Sequence, residues 1–360
     1  MTRQQLAEVL DAEPNYRVEQ VWDGLYRRLS EPEEMTDVPA ALRRRLAELE
    51  AFSPALHLEG ESADSSRSTV KWLFALRAGN EPGAAADRIE TVLMHYPDRS
   101  TVCVSTQAGC AMRCSFCATG QAGFNRNLTT GEIVEQVMRA ARSSREAGRR
   151  LQNVVFMGMG EPLANLARVM EAVRRLNGDL GIAARHLTIS TVGLVPGIRT
   201  LSAEKLQVNL AVSLHAANDP LRDRLVPINR RYPIGVLAEA CRQYVARTGR
   251  RLSFEWALID GVNDGERDAE ELAAIALPIG AHVNLIPLNP TPGYPTRGSA
   301  PARVRAFRGW LAMRGVNATV RQNRGTAIAA ACGQLAAGAP VRLAPRASRR
   351  AGTGSRPAST

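Results

Sequence analysis

Between Thr101 and Arg314 the hydrophobic period switches repeatedly between two and about 3.6 residues, and this alternation constrains the fold more than any other property of the chain. Apolar, β-branched runs at Thr101–Ser105, Asn153–Met157, His186–Ser190, Gln207–Leu214, Leu252–Ile259 and His282–Pro287 predict six strands. Amphipathic stretches near Thr130–Ala147, Leu166–Leu176, Ile198–Ala203, Ile234–Arg247, Arg267–Leu277 and Pro301–Arg314 predict the helices that follow them. Strands joined by helical crossovers run parallel, and strands buried on both faces read as nearly continuous apolar text. The expected fold class is therefore α/β, a partial (β/α)6 barrel. In such folds chemistry gathers where the strands end.

The chain ahead of the barrel reads differently. Short helices are expected around Gln4–Asp11, Arg17–Leu29 and Ala40–Phe52. Leu56–Glu59, Ser68–Leu76 and Arg88–His95 predict a small meander with a turn at Gly79–Gly83. This divides the chain into a small helical accessory domain (1–54), a short β extension (55–98) and the barrel (99–336). From Gly338 to Thr360 there are five Arg and no acid among Pro, Gly, Ser and Ala, which predicts a disordered basic tail over 337–360. Lys plus Arg exceeds Asp plus Glu by 46 to 35, so a polyanionic partner is expected. No apolar run approaches the ~18 residues of a membrane span, and the charged N-terminus is no secretory signal, so a cytoplasmic protein is expected.

Cys103, Cys110, Cys114 and Cys117 fall within fifteen residues, whereas Cys241 and Cys332 stand apart. Clustered thiols in a reducing compartment suggest metal or redox chemistry. Three thiolates at spacings of four and three can hold one corner region of a 4Fe–4S cube and leave one iron open; a zinc site or plain packing would use the same residues. Gly158-Met159-Gly160-Glu161-Pro162, Ser190, Ser213-Leu214-His215 and Asn289 each follow or end a predicted strand. Singly they read as a glycine turn, a cap, a structural histidine and a turn asparagine. Their common placement suggests one ligand. Cys103, Cys241 and Cys332 read singly as small buried hydrophobes, and Glu90 as a strand carboxylate.

Cys110-x-x-x-Cys114-x-Phe116-Cys117 after the first barrel strand resembles the radical S-adenosylmethionine (SAM) superfamily. The stretches TVCVSTQAGCAMRCSFCATGQAGFNRNLTTGEIVEQV, VVFMGMGEPLAN, HLTISTVGLVPGI, VSLHAANDPLRDRLVPINRRYPI, FEWALIDGVND, NLIPLNPTPG and AAACGQL together resemble the RlmN/Cfr family, radical SAM enzymes that methylate an adenine ring carbon in RNA. The likeness runs from about Glu90 to Leu335 and departs at Gly325–Ile328, where an acidic residue is expected near Ala327. It implies a radical SAM barrel with an RNA-binding N-terminal domain, and a 4Fe–4S cluster on Cys110, Cys114 and Cys117. It implies SAM contacts at Gly160, Glu161, Ser190, Ser213, Leu214, His215 and Asn289, with two molecules of SAM consumed per turnover. Cys332 would carry the methyl group, Cys103 would resolve an RNA adduct through a transient disulfide with Cys332, and Glu90 would accept a proton.

The implied substrates are 23S rRNA at the peptidyl-transferase centre and tRNA beside the anticodon, methylated at adenine C2. The implied partner is an electron donor of the flavodoxin or ferredoxin type, and the implied state a monomer. Arg126, Arg224, Arg230, Arg231 and the run Arg43–Arg45 are candidate phosphate contacts. The rival readings are a C8-adenine methyltransferase and a non-catalytic iron–sulfur RNA-binding protein. The second has no use for Cys332 or the glycine–glutamate loop.

Overall fold

The computed structural model describes residues 2–77, 86–291, 293–321 and 324–336. The expected turn at Gly79–Gly83 and the expected tail over 337–360 lie outside the described residues.

Helices α1 (Arg3–Val9), α2 (Tyr16–Tyr26) and α3 (Ala40–Glu48) form the N-terminal layer. α1 starts where Thr2 and Gln5 satisfy each other's backbone N–H groups. Leu6, Val21, Trp22, Leu42 and Leu46 are buried beneath these helices. Next come β1 (Leu56–Ala63), β2 (Thr69–Leu76) and β3 (Arg88–His95), an antiparallel meander whose last strand pairs antiparallel with β4 (Ser100–Cys103). A bulge between Leu58 and Gly60 lets β1 run past the expected end at Glu59.

A short ribbon, β5 (Gln107–Gly109) and β6 (Phe124–Asn127), encloses the cysteine loop and α4 (Ala118–Ala122). The remaining elements alternate: α5 (Thr130–Glu146), β7 (Leu151–Phe156), α6 (Leu166–Gly178), β8 (Leu187–Thr191), α7 (Val195–Ser202), β9 (Asn209–Ser213), α8 (Asp219–Leu225), α9 (Ile234–Thr248), β10 (Leu252–Leu258), α10 (Glu266–Ala276), β11 (His282–Pro287), α11 (Pro301–Met313) and β12 (Ala318–Val320).

One ten-stranded sheet results, in the order β1-β2-β3-β4-β7-β8-β9-β10-β11-β12, parallel from β4 onward. The meander is thus the antiparallel edge of the barrel sheet itself. The barrel has a seventh parallel strand, β12, beyond the six expected, and the β5–β6 ribbon and α8 were also not expected. Buried Ile133, Val134 and Val137 of α5 and Val169, Val173 and Leu176 of α6 cover the outer face of the strands. Among the described residues no helix is long and apolar enough to cross a membrane.

The N-terminal layer is fastened by arginines of the barrel helices. Arg175 of α6 donates to the Tyr26 hydroxyl and lies over the Trp22 and Tyr26 rings, and Arg142 of α5 donates to the Leu29 carbonyl at 2.9 Å.

Candidate active site

A cavity opens at the C-terminal ends of the parallel strands, as the barrel rule requires. Its walls include Cys110, Cys114, Cys117, Gly158, Gly160, Ser190, Ser213, His215, Asn289 and Cys332. Gly160 has φ +104°, and a Cβ there would sit 2.6 Å from the Gln107 Cβ; a Cβ at Gly158 would sit 2.7 Å from the Val104 backbone. Both positions exclude a side chain, so backbone forms that wall.

The cysteine loop is pinned on both sides. Cys110 donates its N–H to the Gly123 carbonyl (2.6 Å), Ser115 to Leu225 (3.1 Å) and Cys117 to Cys114 (3.2 Å). Burial pushes the Cys110 thiol up to about 12 and the Cys114 thiol well above its ordinary value. Ligation by iron would displace these protons. Among the described residues no three His, Cys, Asp or Glu side chains are grouped to hold a single metal ion. A zinc site would also need a fourth ligand beside the three thiols. Three soft thiols spread along one cavity wall suit a cluster, whose irons take one thiolate each. The donor set fits the 4Fe–4S group.

His215 has φ +60°, and its Nδ1 accepts the Ala257 N–H at 3.0 Å, so Nε2 carries the ring proton. Burial, helped by Arg222, pulls its pKa down to about 3. The ring is neutral across the working pH range and offers a hydrogen-bond donor, not an acid. Arg222, fully buried, fixes the strand ends around it. It donates to the carbonyls of Leu214 (3.1 Å), Val192 (2.7 Å) and Ser213 (3.2 Å), and to Asn229 Oδ1 (2.9 Å). Unlike the exposed Arg224, Arg230 and Arg231 nearby, Arg222 carries no sign of its role in the sequence, where its acidic neighbours Asp219 and Asp223 make it look solvated.

Two expected SAM contacts stand back from the wall. The Leu214 side chain is buried in the main core. Glu161 lies behind Gly160, with its carboxylate accepting from the N–H groups of Leu163 (2.9 Å) and Val192 (2.9 Å). Burial raises the Glu161 carboxyl from 4.5 to about 7, against those two hydrogen bonds. The folded state therefore binds the extra proton more tightly than an unfolded chain. Its contribution to stability is complete below about pH 4.5 and is lost, to the extent of about 3 kcal/mol, as pH rises through about 7. Glu161→Gln loses one of these two acceptors at any pH, so the variant is expected to compare better with the parent at pH 8 than at pH 4.5, by up to about 3 kcal/mol. Urea midpoints of both proteins at the two pH values check this.

Cys332 lines this cavity and also a smaller one beside it, which Cys103, Val92, Met94, Met157, Arg321 and Arg324 enclose. Asn289 donates its amide to the Cys332 carbonyl at 3.0 Å, while its Oδ1, buried, has no hydrogen-bond partner. Burial and the neighbouring Cys332 sulfur push the Cys103 thiol up to about 12, and Arg321 opposes them. The Cys332 sulfur in turn is the strongest influence holding Arg321 charged, ahead of Glu255 and Cys103. All six cysteines are free thiols, so the Cys103–Cys332 disulfide that the resemblance implies is not formed in this structure.

Glu90 is not in either cavity wall. It is buried and ion-paired with Lys71 at 2.7 Å. Arg126, partly exposed, pairs with Asp87 (3.1 Å) and Glu132 (2.7 Å). Cys241 is fully buried on α9, as its sequence position suggested.

Arg321, Lys71 and Glu255 were not found in the sequence. Glu255, itself buried, belongs to a polar lattice on the inner barrel face that runs through half-buried Ser253 and Asn284 to exposed Thr319. Its Oε1 accepts from Ser253 Oγ (3.0 Å) and Asn284 Nδ2 (2.8 Å), and Thr319 Oγ1 donates to Asn284 Oδ1 (2.8 Å). The period-2 spacing of Ser253 and Glu255 was the available signal, hidden by the apolar residues between and after them.

The radical SAM superfamily matches residues 104–273 of the chain. A probable dual-specificity RNA methyltransferase RlmN from Frankia casuarinae is 52% identical over 354 residues, which is 94% of this chain and 82% of that protein. The protein of the same description from Chloroflexus aurantiacus is 49% identical, over 92% of this chain and 90% of its own. The crystal structure of a radical SAM methyltransferase from Sphaerobacter thermophilus is similar with a TM-score of 0.88 at 51% identity, covering 94% of this chain and 98% of that one. By sequence and by fold, the chain belongs to the RlmN family of radical SAM RNA methyltransferases.

Proposed function

We propose that this enzyme methylates carbon 2 of adenine in 23S rRNA and in tRNA, with Cys332 as the carrier of the methyl group. One observation carries the reading: Cys332 stands on the wall between the cavity of the three thiols and the cavity of Cys103. A sulfur there can be loaded from one side and released from the other.

Carbon 2 lies between two ring nitrogens and is too electron-poor to attack a methyl donor as a nucleophile. When bound, the cluster and SAM supply the one-electron chemistry that such a carbon requires. The protein supplies position and a dry enclosure. Cys110, Cys114 and Cys117 would hold the cluster. Gly158, Gly160, Ser190, Ser213 and the Nε2–H of His215 would line the SAM site, with Asn289 Oδ1 as a free acceptor. Glu161 would act from behind that wall, by fixing the backbone at Val192 and Leu163.

Arg321 opposes the burial that pushes the Cys103 thiol up, and so favours the thiolate of Cys103, the form that acts as nucleophile. Cys103 would release the product by attacking the Cys332 sulfur: the sulfur–sulfur bond forms, the sulfur–carbon bond breaks, and the electron pair of the broken bond stays on the transferred carbon, which takes a proton to become the methyl group. A Cys103–Cys332 disulfide is left. External thiol reductant would reset the pair. The target base must leave its stack to enter, at a cost of a few kcal/mol, offset by contacts between phosphates and exposed arginines such as Arg224, Arg230 and Arg231.

Mass spectrometry of nucleosides from 23S rRNA and tRNA, in cells with and without the gene, tests the substrate assignment. Gene-dependent 2-methyladenosine in both RNAs is the expected result. Gene-dependent 8-methyladenosine would instead establish the C8 reaction, and no change in either base would refute the reading.

A further inference from the structure

Lysine is scarce here: Lys71 and Lys205 are the only two in a chain whose Lys and Arg together number 46. Lys71 is also buried, at 6% exposure. It lies on β2 opposite Val92 of β3, and Glu90 lies two residues further along β3, opposite Leu73. The alternation of a strand puts Lys71, Leu73, Glu90 and Val92 on one face of the meander. The segment that carries Cys332 packs on this face. A Cβ at Gly325 would lie 3.0 Å from Thr69, and Val92 and Met94 share the small cavity with Cys103 and Cys332.

The Lys71 ammonium makes two recorded contacts, to Glu90 Oε1 at 2.7 Å and to the carbonyl of Ala329 at 3.1 Å. Glu90 Oε2 accepts the backbone N–H of Ala336 at 2.8 Å. The ion pair therefore grips the segment three residues before Cys332 and four residues after it. Its own base is fixed too, since Ser105 Oγ donates to the Glu90 carbonyl (2.6 Å) and accepts the N–H of Met159 in the glycine loop (2.9 Å).

We propose that Lys71 and Glu90 are a positioning pair, which holds the Cys332 loop at both flanks so that its sulfur stays on the wall between the two cavities. This rests on Cys332 being the methyl carrier. Buried ion pairs add little to stability against an apolar pair, and their best-attested use is to fix a register. Here the register fixed is that of a backbone loop whose other anchors, the Ala118 N–H to the Gly333 carbonyl (2.9 Å), Thr119 Oγ1 to the Leu335 carbonyl (2.6 Å) and Asn289 to the Cys332 carbonyl (3.0 Å), lie between the two positions that the pair grips. Lysine suits the task better than arginine, because its compact ammonium meets a carboxylate and a carbonyl without the space a guanidinium needs. The pair also links the loop, through Ser105, to the backbone that walls the SAM site.

The test uses the full chain with its cluster in place. Hydrogen exchange, followed by mass spectrometry, is measured in the peptide spanning Ala329–Ala336, with the α9 peptide around Cys241 as reference. Lys71→Met is expected to speed exchange in the Cys332 peptide about tenfold or more while α9 is unmoved. Its kcat should fall by a similar factor with the KM for RNA unchanged, since RNA binding does not require the loop register. Glu90→Gln keeps an acceptor for the Ala336 N–H but removes the charge that holds Lys71, so a smaller change in the same direction is expected; it also carries the test if Lys71→Met does not fold. Unchanged exchange in the Cys332 peptide would overturn the proposal, and so would equal acceleration in α9. Exchange is read without RNA, so it is independent of whether Cys332 carries the methyl group, which Cys332→Ala decides separately.

Discussion

Cys332→Ala is expected to lose adenine methylation by ~10⁴-fold or more, because no other thiol stands on the wall between the two cavities. The loss should come without unfolding. Cys332 is only half-buried, and its neighbours in sequence, Ala331 and Gly333, are already small. A stability change within about 1 kcal/mol is expected, in the range of substitutions that leave no large cavity. The variant should retain iron and should still bind SAM, since Cys110, Cys114 and Cys117 and the glycine wall are untouched. A purely structural Cys332 predicts the reverse pattern of partial activity with a shifted melting temperature. Activity on RNA, iron content and thermal unfolding of one preparation separate these outcomes.

Replacing any one of Cys110, Cys114 or Cys117 by Ala is expected to remove the cluster and all turnover. Two thiolates cannot hold a cube that uses three, and no other Cys lines the cavity except Cys332. The loop itself should survive, because its backbone is held by Gly123, Leu225 and the Ala118 N–H to the Gly333 carbonyl at 2.9 Å. That last bond ties the loop of the three thiols to the Cys332 loop. Loss of iron should accordingly loosen the segment around Cys332 as well. Iron and sulfide analysis with the cluster absorption spectrum checks the first expectation. A variant that keeps full iron and still cleaves SAM would refute the ligand assignment.

The parts of this molecule that the sequence revealed are those under strong burial. β7, β8, β10 and β11 were readable because each has an apolar face packed in the core, which leaves Leu, Ile, Val, Phe or Trp at alternate or adjacent positions. β12 escaped notice because only Ala318 of its three residues is buried, which leaves no pattern to read. Helix α7 begins at Val195, three residues before the expected Ile198, because Pro196 sits in its first turn, where a missing N–H costs nothing.

The candidate site divides the same way. Thiols advertise themselves by rarity and spacing, and the glycines at strand ends by their grouping. Charges do not, because a buried Lys71, Arg222 or Arg321 is written with the same letters as the solvated cations around it. Their burial follows from tertiary partners such as Glu90, Ala329 and the strand-end carbonyls, which lie far away in sequence. Glu90 shows the limit most clearly. The family resemblance implies a proton for it to accept, and its partners, Lys71 and the backbone of Ala336, could not be read from its place in the sequence.

The claim at the centre of this account is that two thiols on adjoining cavities divide the labour, one carrying carbon and the other releasing it. Cys103→Ala tests it most directly. This variant retains Cys332, the cluster ligands and the SAM wall, and lacks only the thiol that would attack the Cys332 sulfur. The measurement is a denaturing gel of purified Cys103→Ala after reaction with labelled RNA and SAM, followed by mass spectrometry of the shifted band. The account predicts a covalent RNA–protein species that survives denaturation and is linked through Cys332. Normal turnover without an adduct, or a linkage at any other residue, would contradict it.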